Sequence, residues 1–175
     1  MTLIDVMTKD LQRLHAAERD QLKTLQALAE AAAASEIRDA LQQHLSETQE
    51  QVRRLETILN QLGVTADGLL SKAADGLRED ALEMTAIDAD NEVVDLEVIA
   101  SGQKMEHFEI ASYMAAKEMA EALGMTEAAQ LLRQTLSEEQ RSSRLLAHAS
   151  HKILRTAAEV EMDEVEAEVD EDPEA

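Results

Sequence analysis

The sequence predicts an all-α protein, an antiparallel bundle of four long helices joined by a long central crossover. Three observations predict it. Apolar residues make up 45% of the 175-residue chain and are mostly Ala, Leu and Met, side chains that favour helix over strand. The single proline, Pro173, lies almost at the C-terminus, so nothing interrupts a helix in the body. Leucines recur at alternating three- and four-residue intervals through most of the chain, which is the period of a helix with one buried face.

The first long helix is expected from about Thr2 to Ala34, with Leu11, Leu14, Leu22, Leu25 and Leu28 on one face. Ser35, followed by Arg38 and Asp39, opens the second and is the expected N-cap. There Leu41, Leu45, Thr48, Val52, Leu55, Leu59 and Leu62 form a heptad-like seam, and Gly63 ends the helix. From Val64 to Asn91 the chain carries Gly68, Gly76 and several Asp residues, and reads as a crossover with one or two short helices. The third long helix runs from about Glu92 to Leu123 and stops at Gly124. Thr126 opens the fourth, which carries Leu131, Leu132, Leu136, Leu145, Leu146, Ile153 and Leu154. Two long helices, a long connection, then two more is the ferritin-like connectivity. The expected organisation is one bundle domain over 1–158 and an acidic, disordered tail over 159–175.

Charge and composition exclude several function classes. The net charge is −21, and ten acidic residues with no Lys or Arg fall between Glu159 and the end. The remaining 27 acidic and 16 basic residues leave −11 on the body. No basic footprint for nucleic acid is present, and an acidic surface repels anionic lipid. One Phe, one Tyr and no Trp leave little for base stacking. Absence of Cys excludes disulfides and thiolate metal sites. No apolar run approaches the length of a membrane span, and the N-terminus has no secretory pattern, so a cytoplasmic location is expected. The glycine contexts include no phosphate loop and no nucleophile elbow.

The informative residues are glutamates on apolar stripes. At ~100° per residue, Glu18 lies within roughly 40° of Leu11, Leu14, Leu22 and Leu25. Glu106 lies within roughly 40° of Ile99, Ile110 and Tyr113, with Glu109 at about 60°. Glu139 lies within about 20° of Leu132 and Leu146, while Glu138 points away. In the second helix Glu47 borders the seam beside His44 and Gln51, and Glu50 lies almost opposite it. A carboxylate on a buried stripe needs a cation, a metal or a proton beside it. Three readings stand for Glu18: a ligand, a residue that snorkels to solvent from a rotated helix, or a buried salt bridge to an arginine such as Arg54. His44, one turn before Glu47, is either a ligand or a surface or satisfied polar residue. Glutamate and imidazole on facing helices are the ligand set of a carboxylate-bridged pair of iron or manganese ions.

At these residues the chain resembles the DUF892, or YciF-type, ferritin-like stress-protein family. The resemblance is carried by LQRLHAAERDQLKTL, HLSETQEQVRRLE, QKMEHFEIASY and EALGMTEAAQLLRQTLSEE, and it covers roughly residues 5–150. It implies a ferritin-like four-helix bundle, often dimeric, with di-metal carboxylates at Glu18, Glu47, Glu106, Glu109 and Glu139. His44 joins them from its place beside Glu47. The family can carry histidine where Gln51 stands and an acidic residue near Ser143, so the resemblance also implies a ligand-poor version of the site. The implied function is a stress-related protein with a non-haem di-iron or di-manganese centre acting in iron or peroxide chemistry. The alternative is a non-catalytic binding or structural stress protein with a vestigial or single-metal site. The partners expected are metal ions and a second copy of the chain, with no nucleic acid and no membrane.

Overall fold

A computed structural model describes residues 1–171, with side chains described through Thr156. Five helices follow in order: α1 (Leu3–Ala31), α2 (Ser35–Gln61), α3 (Lys72–Met84), α4 (Asn91–Ala122) and α5 (Thr126–Glu171). The expectation of a disordered acidic tail over 159–175 concerns residues whose side chains lie outside the described set, as do 172–175 entirely. No helix among the described residues is long and apolar enough to cross a membrane.

Local chemistry sets the helix ends. Thr2 caps α1 with a capping box: its hydroxyl accepts from the Asp5 amide, and the Asp5 carboxylate accepts from the Thr2 amide. The start of α2 departs from the sequence expectation. Ser35 is already helical, Ala34 is the cap, and no side chain of the segment itself caps it. The carboxylate of Asp95 on α4 instead holds the turn into the helix, accepting from the amides of Ala33 at 2.7 Å and of the cap residue Ala34 at 3.0 Å. This anchor comes from 62 and 61 residues away, so local sequence could not show it. Gly63 and Gly124, with φ of +69° and +70°, turn the chain out of α2 and α4, a backbone region that glycine enters without penalty.

α1 packs against α2 and α4 against α5, and the two hairpins close through α1–α4 and α2–α5 contacts. One apolar layer joins Met7, Leu11 and Leu14 with Leu55 and Ile58, Ala116 and Ala120, and Ala128 and Leu132. The start of α1 therefore meets the ends of α2 and α4 and the start of α5, so α2 runs parallel to α4. That is why a long crossover is needed, and it is the ferritin-like arrangement. A second layer, at the other end, joins Leu25, Leu28, Ile37, Leu41, Val98, Ile99 and Leu146. The crossover holds a single helix, α3, capped by Ser71 and laid across α1 and α4.

Between the two apolar layers lies a polar one. It consists of the residues that interrupt the apolar stripes at mid-height of each long helix: Glu18 and Gln21, His44, Thr48 and Gln51, Glu106 and Glu109, Thr135, Glu139 and Ser142, all buried.

Candidate metal centre

Each long helix contributes to this layer through ordinary helical spacing. Residues three or four apart share a face, so Glu18 brings Gln21, Glu106 brings Glu109, and Glu139 brings Thr135 and Ser142. On α2 the seam runs Leu41, His44, Thr48, Gln51, Leu55 and Ile58, every one at 1% exposure or less. Sequence reasoning placed the seam slightly off this line. Leu45, Val52 and Leu62 are only half-buried, and His44 and Gln51 are at its centre, not its edge. Weighting the wheel by leucines misplaces a face whose middle two turns are polar.

Four side chains converge. His44, Glu106, Glu109 and Glu139 each offer a ligand atom, and these atoms all lie within 4.8 Å of one another. His44 Nε2 is 3.1 Å from Glu106 Oε1 and 3.5 Å from Glu139 Oε2. The longer contact is not a formed hydrogen bond, since Glu139 Oε2 has no donor. Gln51 donates to Glu139 Oε1 at 2.5 Å, and Ser142 donates to Glu106 Oε1 at 2.8 Å. Glu18 stands beside the quartet, fully buried, and accepts from the Tyr113 hydroxyl at 2.5 Å.

The expected residues are thus unevenly placed. Glu18, Glu106, Glu109, Glu139 and His44 come together in the buried layer. Glu47 does not join them: it sits at the rim, accepting from Arg141 at 2.5 Å and from Gln43 at 2.9 Å, because its wheel position leaves it flanking the seam. Glu50 is exposed, as the wheel predicts. The salt-bridge reading of Glu18 does not hold, because Arg54 is engaged with Glu138 at 2.6 and 3.0 Å and with Thr135 at 3.1 Å. Gln21 and Ser142 are members of the layer that the sequence reading did not single out. Their signal was their position, three residues after Glu18 and three after Glu139.

The electrostatics are those of crowded, buried carboxyls that favour a proton or a cation beside them. Burial drives the carboxyls of Glu18, Glu109 and Glu139 well above the usual range, and their mutual repulsion adds to it. Burial likewise raises Glu106, to about 7, against the hydrogen bond from Ser142 that lowers it. The Tyr113 hydroxyl is raised by the same burial and by the neighbouring carboxylates. One oxygen each of Glu18, Glu106, Glu109 and Glu139, and Nδ1 of His44, have no hydrogen-bond partner. Buried acceptors without donors are uncommon in proteins, and four in one layer need protons or a cation. The donor set of imidazole nitrogen and carboxylate oxygens, without sulfur, fits iron or manganese.

Comparison with known proteins places this geometry in context. The DUF892 family model, described as a domain of unknown function, matches residues 2–159. Protein YciF of Escherichia coli K12 is 36% identical over 139 residues, which is 79% of this chain and 84% of that protein. The crystal structure of the E. coli stress protein YciF superposes with a TM-score of 0.84 at 33% identity, covering 88% of this chain and 98% of that one. YcfI from Rhodopseudomonas palustris superposes with a TM-score of 0.80 at 33% identity, covering 84% and 94%. A Xanthomonas campestris protein shares the fold, with a TM-score of 0.71 at 23% identity over 92% and 99% of the two chains.

Proposed function

The chain belongs to the DUF892 family, and from that premise we propose that it is a stress-related, ferritin-like protein whose mid-bundle carboxylates bind a pair of iron or manganese ions. The observation that carries this reading is the set of unpartnered carboxylate oxygens on Glu18, Glu106, Glu109 and Glu139, buried around His44 with no Lys or Arg among them. His44, Glu106, Glu109 and Glu139 would hold one ion, and Glu18 would extend the ligand set toward a second. When bound, such ions supply one-electron redox chemistry toward dioxygen or peroxide.

This chain's own residues define what surrounds that chemistry. The apolar layers above and below exclude bulk water, which strengthens every charge interaction between them. Gln51 and Ser142 orient Glu139 and Glu106 by donating to one oxygen of each, leaving the other oxygen free. Tyr113 fixes Glu18 in the same way. Such supporting hydrogen bonds set ligand orientation and basicity.

A second reading has one specific observation behind it. The Gln51 side chain is fully buried and presents a neutral amide at a position where an imidazole would add a ligand. That favours a single ion and a protein without turnover. Anaerobic loading with Fe²⁺, removal of free metal by gel filtration and elemental analysis separate the two. Two equivalents support the pair, one supports the single-ion reading, and less than one contradicts metal binding altogether. The same reading includes a cytoplasmic homodimer, for which light scattering should give twice 19.3 kDa.

A further inference from the structure

The crossover helix covers a groove. α3 lies across α1 and α4 at the height of the polar layer, and beneath it is a cavity whose walls include Ala17, Asp20, Gln21, Ala74, Asp75 and Glu109. Its room for water-sized centres is about 20 Å³, against about 10–15 Å³ for a single water. Ala16 and Ala17 keep the α1 wall low, so the space persists where larger side chains would fill it. Its inner wall is Glu109, 1% exposed with Oε2 unpartnered, which belongs to the quartet. Its outer rim carries Asp20 and Asp75, both about 40% exposed, with Arg78 beside Asp75.

We infer that this cavity is the route by which a divalent cation reaches the buried carboxylates, with Asp20 and Asp75 as the outer station and Glu109 as the inner one. The inference rests on the metal-binding reading above. Size decides the class of traveller. A volume near that of one water fits a cation that has shed most of its hydration. Charge decides its sign. Asp20 is 3.8 Å from Arg19 and Asp75 is 3.7 Å from Arg78. Half-exposed pairs at that separation are weak, so an arriving cation can take the place of either arginine. The roof is suited to transient opening: Ala81 is the only buried residue of α3, and an element with few buried contacts is among the first to open locally.

The test is the rate of metal uptake. Apo-protein is mixed with Co²⁺ in a stopped-flow instrument and uptake is followed by visible absorption, for wild type, Ala74→Phe and the double variant Asp20→Asn/Asp75→Asn. Ala74→Phe, placed on the half-buried side of the roof, should slow uptake at least tenfold and leave the final stoichiometry unchanged. The double variant should slow it several-fold and lose most of the dependence on ionic strength. If Ala74→Phe fails to fold, judged by circular dichroism, Leu70→Trp at the exposed rim serves as the plug, with the same expectation. Wild-type uptake rates in a folded plugged variant would overturn the route while leaving the metal site intact. Failure of the wild type to bind Co²⁺ at all would overturn both.

Discussion

Tyr113 on α4 donates its hydroxyl proton to Glu18 Oε1 on α1 across 2.5 Å, and neither side chain touches solvent. The bond ties two helices of different hairpins together at the boundary between the lower apolar layer and the polar one. It satisfies only one oxygen of a buried carboxyl; the other, Oε2, has no donor. Replacing Tyr113 by Phe removes the donor and keeps the ring. The metal-free protein should lose about 1–3 kcal/mol of unfolding free energy, the cost of stranding a buried acceptor. Urea denaturation of the two proteins checks this.

The raised carboxyls predict an inverted pH dependence for the metal-free protein. Glu106 moves from an ordinary 4.5 to about 7 on folding. A raised folded value means that the native state binds more protons than the unfolded state between those two pH values. Stability is therefore full below about 4.5 and is lost as pH rises toward 7, by about 3 kcal/mol from this residue. Glu18, Glu109 and Glu139 are raised for the same reason and act in the same direction. Thermal melts of apo-protein between pH 5 and pH 8 should show a falling midpoint, and saturating Mn²⁺ should abolish the fall.

Glu139→Gln separates folding from binding. The amide keeps the shape of a residue that has 0% exposure while removing a buried charge. At pH 8 the apo variant should melt higher than apo wild type, whereas its metal affinity should drop by at least about tenfold. A structural carboxylate would behave oppositely, losing stability with no effect on metal. Differential scanning calorimetry and titration calorimetry give the two quantities.

Gln51 offers the reciprocal experiment. Its amide donates to Glu139 at 2.5 Å and to Glu138 at 3.2 Å, one heptad after His44 on the same face of α2. Gln51→His places a second imidazole in the layer. The variant should bind a second equivalent of Mn²⁺ more tightly than wild type, measured by titration against the electron paramagnetic resonance signal of free Mn²⁺.

Much of this was legible in the sequence because helical period is a strong signal. The four long helices, the crossover and the two glycine stops follow from leucine spacing and backbone preference. Glu18, Glu106 and Glu139 stood out because each breaks an otherwise apolar stripe. Three features were not legible, each for a physical reason. The turn into α2 is held by Asp95, distant in sequence and supplied by tertiary packing. Glu47 borders the seam on the wheel but pairs with Arg141, a partner on α5 that no local pattern reveals. The seam of α2 is centred on His44 and Gln51 because the core there is polar, so a rule that sorts apolar residues inward points slightly to one side.

Anomalous diffraction from crystals soaked in Mn²⁺ or Fe²⁺ tests most directly whether the mid-bundle carboxylates hold metal. A peak at the corresponding absorption edge is expected in the polar layer, within bonding distance of His44, Glu106, Glu109 and Glu139 and with Glu18 adjacent. Density that is featureless there, with the carboxyls still bonded only to Gln51, Ser142 and Tyr113, would contradict metal binding by these carboxylates.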